Sequence, residues 1–132
     1  HPDKCRFPHG HTRKVELVFE ANSLDDREMV FDFKLIGRMI GDFLETYDHA
    51  LCMNTEDPKF DFFKEAYGER IIGFESEDPT TEVMARTIYQ HTKASLHQFV
   101  NDADPDYPVR ADVRISKIRV WETTSSWAEY AE

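Results

Sequence analysis

The alternation of apolar and polar side chains from Thr12 to Ala21 is the feature that most restricts the fold. Val15, Leu17 and Phe19 would share one face of an extended segment, and charged side chains would occupy the other. A two-residue period is typical of an antiparallel strand with one buried and one solvated face. The segment therefore predicts a sheet that packs one face against other elements.

Two stretches with helical periodicity follow this strand. In the first, Asp32 is the predicted N-cap, and apolar residues recur at intervals of three and four until about Tyr47. The second begins after Asp78 with a proline and an acidic residue in its first turn, and its apolar stripe continues to about Val100. The segment 54–78 between them is predicted to be a long loop that folds down onto the protein, because it contains an aromatic cluster.

The C-terminal part of the chain returns to strand patterns. Alternation predicts one strand over Val109–Ile115, and Ser116-Lys117 fits a turn. Extended patterns continue over Ile118–Glu122, and Trp127–Glu132 is predicted to be a final short strand. The order of strand, helix, helix, strand and strand predicts an α+β layer.

Length and composition limit the classes of function. The 132 residues, 40% of them hydrophobic, are enough for one domain with a core, so we take 1–132 as a single domain. A formal net charge of -10 disfavours binding to nucleic acid or to an anionic membrane. No apolar run is long enough to span a membrane, and no signal peptide is visible. Cys5 and Cys52 fit a reduced, cytoplasmic setting better than a disulfide scaffold.

Candidate metal-binding residues lie immediately before the first strand. His9 and His11 would face the same side of an extended segment, with Gly10 between them. Two imidazoles are half of a tetrahedral zinc site, although an unrelated pair of surface histidines fits the residues about equally well. Cys5 lies four residues before His9, and a nearby cation or metal would favour its reactive thiolate form.

Three further acidic or imidazole side chains have two interpretations each. Asp48 and His49 follow the first predicted helix, where they fit either a C-terminal cap or a proton relay. Glu122 fits a solvated strand carboxylate or, inside a pocket, an acceptor for paired N–H donors of a guanidine-like ring edge. Basic residues near the histidines fit either a pocket for an anionic small molecule or a solvated strand end: Lys4, Arg6, Arg13 and Lys14.

Five short motifs occur in the order and register of one enzyme family. They are Cys5-x3-His9-Gly10-His11, Met29-Val30-Phe31-Asp32-Phe33, Tyr47-Asp48-His49, Pro79-Thr80-Thr81-Glu82 and Val120-Trp121-Glu122-Thr123. Together they resemble the 6-pyruvoyl-tetrahydropterin synthase and 6-carboxytetrahydropterin synthase family over nearly the whole chain. The short spacing between Cys5 and His9 is more similar to that of the bacterial 6-carboxytetrahydropterin synthases than to that of the animal pyruvoyl enzymes.

The resemblance implies a tunnelling fold, an α+β structure with an antiparallel sheet and two helices packed on one face. Sheets of several subunits would join edge to edge into a barrel, which removes exposed strand edges. Family members are typically hexamers, a dimer of trimers, with active sites at subunit interfaces. The family's first strand, with a third zinc histidine, would precede residue 1, and His1 lacks the strand context to replace it. Either an upstream segment carries this ligand or the protein has lost it.

The resemblance also implies a carbon–oxygen lyase that binds Zn²⁺ and a pterin triphosphate. It would convert 7,8-dihydroneopterin triphosphate to 6-carboxy-5,6,7,8-tetrahydropterin in the queuosine pathway, with elimination of triphosphate. The implied zinc ligands are His9 and His11. The residues implied to move protons are Cys5, Asp48 and His49. The residues implied to bind the pterin ring are Glu122, as its anchor, with Thr80, Thr81 and Glu82.

Several alternatives stay open. The sister 6-pyruvoyl activity shares the binding residues and the first proton transfers, and a pterin-binding protein without lyase activity would share the fold. A cupin would fit His9-x-His11 followed by Glu16, but cupins are nearly all β and two helices are predicted here. A structural or interaction domain is the remaining alternative.

Some residues have less specific interpretations. Lys4, Arg6 and Arg13 are our candidates for receiving the triphosphate, and Cys52 is interpreted as structural. The segment 54–78 would shape either the mouth of the pocket or an oligomer contact.

Overall fold

The structure is a computed structural model, and it describes residues 4, 7–102 and 104–132. Its elements in chain order are β1 (Lys14–Glu20), α1 (Lys34–Glu45), β2 (Leu51–Asn54), α2 (Phe60–Tyr67), a 3-10 turn (Gly68–Arg70), β3 (Ile71–Phe74), α3 (Thr81–Asp102), β4 (Arg114–Trp121) and β5 (Trp127–Ala131). None of the helices in these ranges combines the length and the apolar character of a membrane span.

The main sheet is antiparallel, with the strand order β1-β4-β5. The register of β1 against β4 shifts between Val18 and Phe19, whose partners are Lys117 and Ile115. Ser116 is therefore the extra residue of a β-bulge. The turn expected at Ser116-Lys117 does not form, because β4 continues through these two residues with Ser116 as the bulge.

The strand predicted over Val109–Ile115 begins only at Arg114. The residues before it form a turn, in which the Val113 N–H donates to the Arg110 carbonyl oxygen at 3.1 Å. Val109 and Val113 are nevertheless buried, so side chains from a turn produce the apolar alternation that the sequence suggested.

The core lies between the main sheet and the two long helices. α3 packs across β4 and β5, and α1 packs against α3. The most deeply buried side chains come from all three elements. Ile118 and Val120 of β4 and Leu35 of α1 are fully buried, and Ile88 of α3 is 1% exposed. The buried face of β4 therefore packs against the apolar stripe of α3. The expected α+β class with an antiparallel sheet is confirmed.

The helix starts differ slightly from the predicted ones: α1 begins at Lys34 with Phe33 as its N-cap residue in place of Asp32, and Pro79 lies before α3, which begins at Thr81. The Asp32 carboxylate accepts the N–H of Lys34, the first residue of α1, at 2.8 Å. At the start of α3, the Thr80 hydroxyl accepts the Val83 N–H at 3.3 Å. The predicted apolar stripe of α1 is wrong at Phe33, which is 80% exposed because it lies before the first helical turn.

The segment 54–78 is not the loop that its sequence suggested. β2 and β3 pair in parallel, and α2 forms the crossover between them, so the described residues contain three α-helices where two were predicted. A Cβ on Gly73 would lie 3.0 Å from the Phe60 ring and from the Thr55 methyl group, so α2 packs directly onto β3. Strands of four residues are too short to show a period in the sequence.

Candidate functional site

His9 and His11 lie close together just before β1. Their ring centroids are 4.7 Å apart and their planes meet at 81°. His9 Nδ1 lies 2.6 Å from the Phe7 carbonyl oxygen, and His11 Nε2 lies 3.2 Å from Glu122 Oε1. His9 Nε2 and His11 Nδ1 make no hydrogen bond within the described ranges, so each ring keeps one nitrogen for a further ligand.

The chemistry of these two rings fits zinc binding. A zinc-binding histidine usually bonds a carbonyl or carboxylate oxygen through its second ring nitrogen, which fixes the orientation of the ring. His9 and His11 have such oxygen contacts, with the Phe7 carbonyl and with Glu122. Among the residues that the structure describes, no group of three or more His, Cys, Asp or Glu side chains could hold a metal. The donor nitrogens of His9 and His11 thus fit two ligands of the predicted zinc site, and Cys5 lies outside the described residues.

Glu122 follows β4 directly, and its carboxylate lies between two nitrogen-bearing side chains. Its Oε1 is 3.2 Å from His11 Nε2 and 3.7 Å from Arg13 Nη2. The Glu122 N–H donates to the Ser126 carbonyl oxygen at 2.9 Å, which fixes the backbone in the connection to β5. With its side chain 36% exposed, Glu122 is part of a cluster of side chains and not a fully solvated strand carboxylate.

Arg13 links this carboxylate to α3. Its Nη1 donates to the Thr81 hydroxyl at 2.8 Å, and Thr81 is the buried first residue of that helix. We call His11, Arg13, Thr81 and Glu122 the sheet-end cluster. Because the guanidinium contacts both Thr81 and Glu122, the arrangement argues against the phosphate-binding role predicted for Arg13.

The two other predicted pocket residues at the start of α3 lie outside these contacts. Thr80 and Glu82 are both exposed. The Thr80 hydroxyl caps the helix through the Val83 N–H. Of the three predicted residues, only Thr81 contacts Arg13 in the described structure.

Asp48 and His49 form a pair in the turn between α1 and β2. His49 Nδ1 lies 2.8 Å from Asp48 Oδ2. The His49 side chain is 85% exposed and the Asp48 side chain is 61% exposed. His49 has a φ of 54°, in the left-handed region that few residues other than glycine adopt. Arg70 Nη1 donates to the Asp48 carbonyl oxygen at 3.0 Å. We call Asp48, His49 and Arg70 the dyad turn.

The described structure does not link the two groups of residues by polar contacts. No hydrogen bond or ion pair joins the dyad turn to the sheet-end cluster within the described ranges. Neither Arg70 nor the role of Arg13 has a local signal in the sequence, since each residue bonds to one that is distant in the chain: Arg13 and Thr81 are 68 positions apart, and Arg70 and Asp48 are 22 apart.

Two ionisable side chains near these sites have shifted pKa values. Burial raises the pKa of the Cys52 thiol, and the charge of Arg13 partly opposes this effect. Burial also raises the pKa of Tyr47 to about 12. A thiol with a raised pKa forms little thiolate, which agrees with a structural role for Cys52.

An open cleft of about 430 Å³ is lined by residues that alternate along the chain with His11, Arg13 and Glu122 of the sheet-end cluster. Thr12 and Lys14 line it from the N-terminal side, and they alternate along the chain with His11 and Arg13. Trp121, Thr123 and Thr124 complete the lining on either side of Glu122.

The chain matches the model of one known protein family over residues 1–132, and that family is described as 6-pyruvoyl tetrahydropterin synthase. A curated relative named 6-carboxy-5,6,7,8-tetrahydropterin synthase, from Aquifex aeolicus, is 29% identical over 98% of this chain and 77% of its own length. A relative of the same name from Rickettsia felis is 28% identical over 98% of this chain and 86% of its own length.

Solved structures show the same fold. An uncharacterized protein from Wolinella succinogenes superposes with a TM-score of 0.70 at 20% identity, over 96% of this chain and 80% of the other. The 6-pyruvoyl tetrahydropterin synthase from Plasmodium vivax superposes with a TM-score of 0.68 at 15% identity, over 94% and 80% of the two chains.

Proposed function

Because the chain belongs to the 6-pyruvoyl tetrahydropterin synthase family, a family of lyase-type pterin synthases, we propose that it makes 6-carboxy-5,6,7,8-tetrahydropterin from 7,8-dihydroneopterin triphosphate. The family and enzyme class predicted from the sequence are thereby confirmed. The names of the relatives from A. aeolicus and R. felis support the carboxy product. In this proposal the reaction eliminates triphosphate and serves queuosine biosynthesis in the cytoplasm.

The observation that carries the site assignment is the position of Glu122 in the sheet-end cluster. A carboxylate can accept two parallel N–H bonds from the amino-pyrimidine edge of a pterin, as it does from a guanidinium. Neither side-chain oxygen of Glu122 accepts a hydrogen bond from a described residue, and Oε2 lies farther than Oε1 from the nearest nitrogens of His11 and Arg13, so the carboxylate is available for such donors. We assign Glu122 as the anchor of the pterin ring, with Thr80, Thr81 and Glu82 beside it.

His9 and His11 are the proposed ligands of Zn²⁺, and a third ligand is expected upstream of residue 1. Zinc, when bound, supplies Lewis-acid chemistry at the side-chain hydroxyls of the substrate. The oxygen contacts of the two rings support this assignment, because they leave one nitrogen of each ring for the metal.

Proton transfer is assigned to Cys5 and to the Asp48–His49 pair. Cys5 removes the first proton in this proposal. Asp48 occupies His49 Nδ1, which orients the ring and leaves Nε2 to exchange the second proton with the substrate. The exposure of this pair supports a functional role, because both side chains can reach a bound substrate.

We propose that the protein acts as a homo-oligomer, a hexamer built from two trimers, with each site shared between subunits. The dyad turn is exposed and is not bonded to the sheet-end cluster of its own chain, which supports this division. β1 and β5 are the outer strands of the described sheet, so each has an edge that a neighbouring subunit could pair with. A nucleic acid or a membrane is not part of the proposed function.

The test is to incubate the zinc-loaded protein with 7,8-dihydroneopterin triphosphate and to identify the products by mass spectrometry. We expect 6-carboxytetrahydropterin from the parent protein and none from a Cys5→Ala control. A 6-pyruvoyl product would transfer the assignment to the sister activity. Pterin binding without turnover would point to a non-catalytic pterin-binding protein, and absence of binding would contradict the proposed function.

A further inference from the structure

We propose that Arg13 is a positioning residue for pterin recognition, which holds the Glu122 carboxylate in place from the start of α3. This role rests on the proposed function, because it takes Glu122 as the group that binds the pterin. The inference adds a residue that the sequence suggested only as a phosphate contact.

The geometry of the guanidinium carries the argument. Nη1 donates to the Thr81 hydroxyl at 2.8 Å, while Nη2 lies 3.7 Å from Glu122 Oε1. Thr81 is 7% exposed and begins the helix that packs across β4 and β5, so it is a fixed point in the core. A planar guanidinium with several donors can use two of them at once, which a single ammonium group does less well.

A second contact to Glu122 explains why this bridge is needed. His11 also contacts Oε1, but His11 is a proposed metal ligand, and only its second nitrogen is available to Glu122. The Arg13 guanidinium gives the carboxylate one cationic neighbour that does not depend on the metal. Both contacts are made to Oε1, so Oε2 is left for the ligand.

Three substitutions separate the parts of this bridge. Arg13→Met removes the charge and both donors, while Arg13→Lys keeps the charge but loses the two-armed geometry. Thr81→Val keeps the shape of the buried side chain and removes only the hydroxyl that Arg13 bonds. Arg114→Met is the matched control, because Arg114 is an exposed arginine at the opposite end of β4 that pairs with Glu20.

The experiment measures binding of neopterin by fluorescence, with and without zinc, together with KM and kcat for 7,8-dihydroneopterin triphosphate. We expect Arg13→Met to weaken neopterin binding by roughly 3- to 10-fold, because the contact it removes is a partly exposed ion pair, and to raise KM more than it lowers kcat. Arg13→Lys should recover part of this loss, Thr81→Val should weaken binding by a smaller factor, and Arg114→Met should bind like the parent.

Several results would overturn this role. Neopterin binding within twofold of the parent, in an Arg13→Met protein that keeps the melting temperature and zinc content of the parent, would exclude it. Loss of zinc from Arg13→Met would assign the residue to the metal site instead. Loss of binding in Glu122→Gln but not in Arg13→Met would reject the Arg13 role and leave the proposed function standing. A parent protein that binds no neopterin would reject both.

Discussion

In the sheet-end cluster, side chains from three parts of the chain contact one another, and the charged or imidazole side chains are at most 36% exposed. In the dyad turn, Asp48 and His49 contact each other but are 61% and 85% exposed. Arg70 holds only the backbone of this turn, through the Asp48 carbonyl oxygen. The two groups thus differ in how strongly a single chain fixes their side chains.

We propose that this difference corresponds to a division between binding and proton transfer. A carboxylate that anchors a ring benefits from fixed neighbours, because its geometry is then set before the ligand arrives. A pair that exchanges protons must reach the substrate, and an exposed turn can be completed by a neighbouring subunit. We therefore expect changes in the dyad turn to affect turnover and changes in the cluster to affect binding.

The largest effect is expected from His49→Ala. Loss of a general acid–base group should lower kcat by about 10²- to 10⁴-fold. Because the side chain is 85% exposed, the melting temperature and neopterin binding should stay close to those of the parent. Steady-state kinetics and a thermal melt measure both quantities. A comparable loss of neopterin binding would contradict the division between the two groups.

Glu122→Gln should give the next largest effect, and this effect should appear in neopterin binding. It keeps the shape of the side chain but removes the charge, so neopterin binding should weaken by about 10- to 100-fold. Isothermal titration or fluorescence would measure the affinity. Glu129→Gln is the control, because Glu129 lies on β5 and pairs with Arg119 away from the cluster. Equal losses in the two variants would show that the effect is not specific to the site.

Gly73→Ala tests whether α2 packs on β3, in the unit that follows the dyad turn. The added methyl group would meet the Phe60 ring and the Thr55 methyl group at 3.0 Å, so we expect a loss of about 1–3 kcal/mol in the free energy of unfolding. Urea denaturation measures this value, and neopterin binding should be unchanged.

Gly37→Ala is the matched control for that substitution. A Cβ on Gly37 of α1 would meet nothing within 4 Å, so the change should stabilise the helix by about 0.5–1 kcal/mol. If Gly73→Ala proved equally stabilising, α2 would not pack on β3 as described.

The smallest expected effect concerns Cys52. Because burial raises the pKa of its thiol, less thiolate is present in the folded than in the unfolded protein at any given pH. In a Cys5→Ala background, iodoacetamide should therefore modify Cys52 more slowly in buffer than in urea. The stability that comes from the neutral thiol is complete below the pKa of the unfolded state and is lost as the pH rises through the folded value. Equal rates in buffer and urea would contradict burial of this side chain.

The sequence predicts the long elements of the fold better than the short ones. The alternation in β1 and the stripes of α1 and α3 extend over enough residues to show a period. β2 and β3 have four residues each, and the bulge at Ser116 resembles a turn, so tertiary pairing decides their structure.

The site shows a similar limit. The motifs identified His11, Thr81 and Glu122, which the structure brings near one another through Arg13. Arg13 itself was assigned to phosphate, because its contact with Thr81 depends on the packing of α3 and leaves no local signal. The roles of Cys5, of the zinc ligands and of the proton-transfer pair stay predictions.

The most direct test of the account is complementation between His49→Ala and Glu122→Gln chains. Each variant alone should be nearly inactive. If a site takes its dyad turn and its sheet-end cluster from different subunits, co-expressed chains should recover up to about a quarter of the parent activity, the fraction of sites that random mixing leaves intact. Mixed oligomers, verified by mass, that stay inactive would contradict the division of the site between subunits.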